Sequence, residues 1–309
     1  MDHDPPLLDV FLIHWRAPEW CAQAVRSVLA SEGVDVRCTV VDNGATGGDT
    51  LARLLDPSVE LVTTSENLGY TGAANLALSR ALSTHPRAEF IVVASHDLVV
   101  DADTLRTLRD SMRSDDRIGI VGPVLTAPAQ SAGGSWRGWR AKGTSAFDPR
   151  QRFEERDWMS GTLLMLRPAC VEQIGGFDEA LGSYVEDVDL CLRAHDAGWK
   201  VGVAPAARAA GIGSVSRDVT LLVDVNSVLL AVKRRGVGAG VPIAGRYVYW
   251  AGRGAVTSAF PWRSRGRRRA SFVHARDHAR ALAQLAREWR RVRAIAHEPD
   301  KGVPRFGST

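Results

Sequence analysis

The chain has 309 residues, 45% apolar and 24% charged, proportions ordinary for a globular protein with one large domain or a domain plus an appendage. No run approaches the roughly 18 to 20 uninterrupted apolar residues that cross a bilayer. The start, MDHDPPLLD, is acidic where a secretion signal would be basic and then apolar, so a cytoplasmic protein is expected. The net charge of +4 is uneven: from Arg263 onward thirteen Lys/Arg face four Asp/Glu, a balance of +9, which leaves −5 on the first 262 residues. A basic tail on an acidic body predicts an anionic partner for the tail.

Residues 7–14 (LLDVFLIH) form an apolar run of strand length, and Pro18 follows as the first residue of a helix with Trp20, Ala24, Val28 and Leu29 at helical spacing. The β-branched run 36–41 ends at Asp42-Asn43-Gly44. Strand, helix and strand in this order predict a βαβ unit with a right-handed parallel crossover. A short helix at 51–55, a strand at 59–62 and a Gly-punctuated loop leading into a helix (SENLGYTGAANLALSRAL) come next. Residues 89–95 (EFIVVAS) read as a strand ending at Ser95-His96-Asp97, followed by a helix at 102–112 and a strand at 118–121. The stretch 125–156, with Gly133, Gly134, Gly138 and Gly143 among Ser, Trp and Arg, has no period and reads as a mobile or functional loop. Residues 158–166 form another strand, Pro168 opens a short helix, 200–203 is a short last strand, 205–218 is small and Gly-rich, and 219–234 is helical.

Alternating elements of this kind predict an α/β fold, a mostly parallel sheet flanked by helices. Ligands of such sheets sit beyond the carboxyl ends of the strands. His14, Asp42 and Asp97 each follow a predicted strand end, so one crevice should collect them. Residues 1–235 read as one domain and 236–309 as a basic helical C-terminal extension. Within the extension Phe272, Ala275, Ala279, Leu282, Leu285, Trp289, Val292 and Ile295 recur at three- or four-residue steps, predicting a helix of about 25 residues with arginines on its remaining surface. It reads either as packed on the body or as lying on an anionic membrane surface. No nucleic-acid module is recognisable. Cys21, Cys38, Cys170 and Cys191 lack CxxC spacing and read as reduced core thiols.

GGFDEALGSYVEDVDLCLRAHDAGW, residues 175–199, sets Val188, Cys191, Leu192 and His195 on one stripe of a helix at about 184–197 and crowds Glu186, Asp187 and Asp189 into its first turn. Those acids either complement the helix dipole or include a general base at a loop-to-helix junction. Asp42-Asn43-Gly44 and Asn67-Leu68-Gly69 are turns by composition. Asp42 is also placed to accept the N3–H of a uracil or thymine ring. Asn67, Gly69 and Asn75 would shape the neighbouring loop and let backbone approach a ribose or phosphates. Asp97 is a hard oxygen ligand for a divalent cation, and His96 reads as a second ligand or a loop residue.

The succession VVDNG, ENLGYTGAAN, a strand ending in a polar pair plus Asp, MSGTLLMLRP, GGFDE and EDVDLCLR resembles the family 2 inverting glycosyltransferases of GT-A fold, closest to the bacterial rhamnosyltransferase branch. The resemblance covers about residues 8–235. It implies transfer of a sugar from a UDP- or dTDP-linked donor, with Asp187 of the Glu186-Asp187 pair as catalytic base. His14, Asp42, Asn43, Gly44, Asn67, Gly69, Asn75, Ser95, His96 and Asp97 would lie around the donor, and Trp158, Glu186 and Asp189 around the acceptor. Asp97 would be the last acid of the metal- and diphosphate-binding element. Implied partners are the nucleoside-diphosphate sugar, a glycan, lipid-linked or natural-product acceptor, Mg2+ or Mn2+, an anionic membrane at the inner face of the plasma membrane, and a second copy of the chain.

Two departures stand against this pattern. The metal element reads Ser95-His96-Asp97 and lacks its first acid, and Ala209-Ala210 stand where the family has a His after the last strand. Then either a metal is held weakly through Asp97 and the diphosphate alone, or Arg208 or Arg217 offsets the diphosphate charge, or the chain is a nucleotide-sugar-binding or scaffolding protein without turnover.

Overall fold

The computed structural model describes residues 7–84, 88–127, 130–137, 141–212, 219–260 and 264–306, with backbone only at 219, 220 and 274. The chain enters on β1 (Leu7–His14), crosses α1 (Pro18–Leu29) to β2 (Asp35–Asp42), and continues through α2 (Gly48–Leu54), β3 (Glu60–Thr63), α3 (Gly69–Thr84) and β4 (Phe90–Ser95). Next come β5 (Leu98–Val100), α4 (Thr104–Arg113), β6 (Ile118–Leu125), a hairpin of β7 (Gly134–Trp136) and β8 (Ala141–Gly143), and the two-residue β9 (Glu154–Glu155). After β10 (Leu163–Leu166), α5 (Pro168–Ile174), α6 (Glu186–Asp196) and β11 (Lys200–Gly211), the chain ends in α7 (Val219–Arg235), α8 (Gly240–Ala259), α9 (Arg265–Arg287) and α10 (Trp289–His297).

The main sheet runs β3-β2-β1-β4-β10-β6-β11-β5, with β9 added on β11. β1 to β4 are parallel, as are β6 and β11, while β10, β5 and β9 run against their neighbours. Side chains alternate between two cores, as the strand period requires. Leu8, Val10 and Leu12 of β1 join Val92 and Ala94 of β4 on the face covered by α1 and α4. Phe11, Ile13, Ile91 and Val93 meet the alanine-rich face of α3 and the helices α5 and α6. All four cysteines are buried and free.

Several expectations shift. The strand expected at 158–166 shrinks to Leu163–Leu166, and Trp158 makes only an isolated bridge to Gly134. The last strand, expected at 200–203, runs on to Gly211. Ala204, Ala207 and Ala209 have no strand preference of their own, but they fit a ladder buried against β6. The stretch expected as a mobile loop holds β7, β8 and β9, and Arg156 pins it through the carbonyls of Ala132 (2.9 Å) and Ala146 (2.8 Å).

The acidic helix begins at Glu186 rather than at 184 and is buried nearly all round, because α7 covers the face that a simple amphipathic helix would leave to water. Lys233 of α7 reaches Asp178 (2.7 Å) and Asp189 (2.9 Å), and Arg193 pairs with Asp189 at 2.8 Å. The single tail helix of the sequence reading is two, α9 and α10, broken at Glu288. Part of its apolar stripe is spent on packing: Leu285, Val292 and Ile295 lie against Val225, Leu229, Ile243 and Tyr247, while Phe272 and Trp289 stay exposed. Beyond it the chain returns to the body, where the N–H groups of Gly176 and Glu179 donate to the carbonyls of Pro304 and Gly302, both at 2.9 Å. Among the described residues no helix is long and apolar enough to cross a membrane.

Removing one partner from a buried ion pair strands the other charge, at about 3–5 kcal/mol. Lys233→Met, which leaves Asp178 and Asp189 without their shared cation, is expected to lower unfolding free energy by about that amount in urea denaturation followed by circular dichroism.

Candidate active site

The carboxyl ends of β1, β2 and β4 lie side by side, so their terminal residues meet. His14 donates from Nδ1 to Asp42 Oδ1 at 2.9 Å, while its Nε2 accepts the N–H of Ala17 at 3.2 Å. Both ring nitrogens are therefore used, and the ring is fully buried. Asp42 also receives the N–H groups of Gly47 (3.1 Å) and Gly48 (3.4 Å). Burial acts to raise this carboxyl, but the His14 and backbone hydrogen bonds outweigh it and hold it below its ordinary value. Asp42 thus organises the loop after β2, and in this arrangement a base ring would reach it only by displacing that loop. His14 is a brace rather than an open donor contact.

Asn43 and Asn75 act as clamps, as the turn and loop-shaping roles read from the sequence allow. Asn43 accepts the N–H of Leu68 (2.8 Å) and donates to Asn67 Oδ1 and the carbonyl of Gly69. Gly44, at φ +84°, lies so close to Asn67 that a Cβ would stand 3.0 Å from its backbone nitrogen. The Asn67–Gly69 turn is thereby fastened over the end of β2. Asn75 is buried, accepts the N–H of Phe177 (2.7 Å) and donates to the Phe177 carbonyl (2.9 Å) and Glu179 Oε1 (3.1 Å), so both its amide hydrogens go to holding the loop before α6.

At the end of β4, Ser95 Oγ donates to Asp97 Oδ1 at 2.6 Å. His96 donates from Nδ1 to the Ile13 carbonyl at 2.9 Å, and its ring meets that of His14 edge-on at 5.2 Å. Burial lowers His96 below its ordinary value, against the pull of Asp97, so the ring stays neutral with Nε2 as an acceptor. Asp97 offers one hard oxygen ligand. Among the described residues no three His, Cys, Asp or Glu side chains cluster to hold an ion unaided.

Glu186 and Asp187 open α6 on the far side of the crevice. Asp187 accepts the N–H of Gly161 on Oδ2 and that of Val188 on Oδ1, each at 2.8 Å. A Cβ on Gly161 would stand 3.3 Å from the Cβ of Asp187 and 3.6 Å from Glu186 Oε1, so a side chain there would crowd Asp187 and push it by a few tenths of an ångström. Glu186 is buried, and its Oε2 has no hydrogen-bond partner. Burial and the neighbouring Asp187 push Glu186 well above the carboxylate range; burial raises Asp187 too, against its backbone hydrogen bonds. Tyr70 donates to the Gly161 carbonyl at 2.7 Å and is raised by burial and by the charges of Glu186, Asp187 and Asp97. Tyr184 feels Glu186 and Asp97 as well. The two sides of the crevice are therefore within electrostatic reach of one another.

The backbone is strained here. Tyr184 (φ 69°) and Val185 (φ 73°) are both left-handed, and so are Arg16 and Ala45, which follow β1 and β2. For a β-branched residue such as Val185 that conformation is unusual, and strain of this kind concentrates at functional sites.

Other expected contacts fall away. Asp189 is completely buried between Arg193 and Lys233, which hold it charged, below its ordinary value, against the opposing effect of burial; it presents no oxygen to an acceptor. Arg208 donates to the carbonyls of Pro205 and Ala207 and lies over the Phe147 ring at 5.2 Å, so its charge serves its own strand. Ala209 and Ala210 are ladder residues paired with Val100 and Val99. Arg217 lies outside the described residues. Trp158 stays half-buried beside Trp136, Tyr184 and Val185, next to the acids.

A sequence model of the family "Glycosyltransferase like family 2" matches residues 5–237. The chain belongs to this family. The N-acetylglucosaminyl-diphospho-decaprenol L-rhamnosyltransferase of Mycobacterium tuberculosis is 30% identical over 199 residues, 56% of this chain and 65% of that protein, so the match spans just under two thirds of its relative. The rhamnosyltransferase WbbL of Escherichia coli K12 is 38% identical over 50 residues, 16% of this chain and 19% of that one. Among solved structures, GalNAc-T7 with UDP, GalNAc and Mn2+ overlays with a TM-score of 0.60 at 14% identity, covering 98% of this chain and 59% of that one. The mannosyltransferase PcManGT of Pyrobaculum calidifontis, with GDP-Man and Mn2+, reaches 0.56 at 13%, covering 92% and 88%. These neighbours establish the GT-A fold for this family 2 member.

Sequence reading passed over Tyr70, Gly161, Tyr184 and Asn226. The first two lie inside the motifs ENLGYTGAAN and MSGTLLMLRP, and Asn226 is a polar residue in the apolar run VTLLVDVNSVLLAV. Asn226 Nδ2 reaches the carbonyls of Leu181 (2.7 Å), Ser183 (2.8 Å) and Tyr184 (2.8 Å), fixing the loop that delivers Glu186 and Asp187.

Because folded Glu186 keeps its proton to a higher pH than an unfolded glutamate (about 4.3), the native state binds more protons and loses stability as pH rises above that value. Glu186→Gln removes this dependence. Urea midpoints measured from pH 5 to 8 should fall less steeply in the variant than in the native chain.

Proposed function

We propose that this chain is an inverting glycosyltransferase that moves a sugar from a UDP- or dTDP-linked donor onto a hydroxyl of its acceptor, with Asp187 as the base. The observation that carries this reading is the Asp187 carboxylate: raised by burial, aimed by two backbone N–H groups, and set on a strained loop-to-helix junction across from Asp97. A carboxylate whose proton affinity is raised is a stronger base once ionised. The acceptor proton passes to Asp187 as the acceptor oxygen bonds to the anomeric carbon. The bond from that carbon to the diphosphate oxygen breaks, its electron pair leaves with the nucleoside diphosphate, and the configuration inverts. Holding both reactants in one crevice supplies much of the remaining acceleration.

The donor is read as lying along the strand ends, its base beside the loop that Asp42 organises, its ribose and diphosphate near Asn67, Gly69, Ser95, His96 and Asp97. A divalent cation fits there only in company with the donor: Asp97 gives one carboxylate ligand, and diphosphate and water would complete the shell. Such an ion would offset charge on the departing diphosphate. Glu186, uncharged, and Trp158 stand on the acceptor side. Transfer of a rhamnosyl group to a lipid-linked glycan is favoured, because the relatives are rhamnosyltransferases and one is named for a decaprenol-linked acceptor. The transferase unit is read as residues 1–235 and the basic extension as 236–309.

A second reading, a nucleotide-sugar-binding protein without turnover, draws on Ala209-Ala210 and on the turning of Arg208 toward its own strand. Turnover decides between them. Purified protein incubated with UDP- and dTDP-sugars and Mn2+ should hydrolyse or transfer the donor, whereas binding without either would establish the second reading. A general base contributes about 10²–10⁴-fold, so Asp187→Asn should lose at least about 10²-fold in turnover while calorimetry shows donor affinity retained.

A further inference from the structure

From Val225 to Arg276 the chain carries eleven Lys/Arg and no Asp or Glu. This stretch folds into most of α7, all of α8 and the first half of α9, the last two packed together as a hairpin. One face of α8 serves that packing: Ile243 and Tyr247 are buried, and Gly254 lets Ala275 of α9 come within 2.9 Å of where a Cβ would stand. The opposite face has no partner among the described residues. Val241, Gly245, Val248, Gly252 and Val256 follow at steps of four, three, four and four, which aligns them in a single stripe. Val241 is 66% exposed, Val248 and Val256 58% each. Tyr249 beside the stripe and Phe272 on α9 are also exposed. Arg246 and Arg253 belong to the same helix, and at the α8–α9 turn Arg265, Arg268 and Arg269 line a recess of about 360 Å³ with Ser258 and Phe272.

We infer that the outward face of the α8–α9 hairpin docks on an anionic lipid bilayer. The valine stripe, Tyr249 and Phe272 enter the boundary between headgroups and acyl chains, and the arginines meet lipid phosphates. Charge complementarity selects this occupant. A second copy related by a two-fold axis would set the same arginines against each other, and a nucleic-acid backbone offers no apolar layer for a stripe of valines. The surface differs from the one that sequence periodicity indicated, since Ala275, Leu285, Val292 and Ile295 of that stripe are buried inside the helical bundle, and only Ala279 and Trp289 between them stay exposed. The inference deepens, and rests on, the reading of a lipid-linked acceptor, because a crevice tethered to the bilayer meets such an acceptor where it resides.

Flotation of the full chain with vesicles tests it without using turnover. The native chain should float with phosphatidylcholine vesicles containing about one third phosphatidylglycerol, stay behind with phosphatidylcholine alone, and be released by high salt. Val248→Asp with Val256→Asp, both at exposed positions, should weaken association at least about tenfold while the melting temperature holds. Replacing Arg265, Arg268 and Arg269 by Gln should cost about fivefold per arginine. Failure of the native chain to bind anionic vesicles overturns the proposal, and so does unchanged binding by both variants. Conversion of a dimer to a monomer by the valine variant, with vesicle binding intact, assigns the face to a second copy instead. Vesicle binding by a chain that transfers no sugar would keep the surface and sink the transfer reading; transfer without vesicle binding would do the reverse.

Discussion

Asn226 sits in an otherwise apolar turn of α7 and brings its side-chain amide to three carbonyls of the loop ahead of α6. Everything at the acidic end of the crevice depends on that contact. The loop ends in two left-handed residues, Tyr184 and Val185, a conformation that costs on the order of 1–3 kcal/mol per residue and survives only where its surroundings hold it. Seven residues further along the same face of α7, Lys233 grips Asp178 and Asp189. One helix therefore fixes both the entry to α6 and its first turn, and with them the direction in which Asp187 points.

The acids around the crevice fall into two groups with opposite electrostatics. Asp42 and Asp189 are surrounded by donors or cations that outweigh burial and keep them ionised. Glu186 and Asp187 are buried without a cation, and both are raised. Groups of the first kind build the frame: Asp42 ties β1 to β2 and the loop beyond, and Asp189 ties α6 to α7. Groups of the second kind bind a proton more tightly than an exposed carboxylate does, the property the proposed transfer from an acceptor hydroxyl draws on.

The family match stops at residue 237, yet the helices beyond it are more than an appendage. Their apolar interior is closed by Tyr247, Leu285, Val292 and Ile295 against α7, and the last described residues return to the backbone of Gly176 and Glu179. This bundle packs on α7, which holds the loop ahead of α6, while its outer side carries the charge imbalance and the exposed valines. The same element thus joins a rigid support to a surface suited to lipid.

Much of this was legible in the sequence because it is encoded locally. Alternating apolar strands and helices, polar residues at strand ends and the order of the glycine-bearing motifs point to a parallel sheet with a crevice at its carboxyl edge, and to Asp187 at a helix start. The expected parallel unit at β1–β2 and the burial of the four cysteines follow from the same local pattern. Roles that depend on partners distant in the chain were not legible. Asn75 and Asn43 look like ligand contacts until Phe177 and Leu68 are found on them. Asp189 looks like an acceptor contact until Lys233, 44 residues away, is found paired with it. The tail's periodicity marks a helix with an apolar face but cannot say whether that face meets protein or lipid. Spacing along a chain determines which side chains share a face; only the packing of one element on another decides what that face touches, and a carboxylate's charge and work depend on those neighbours.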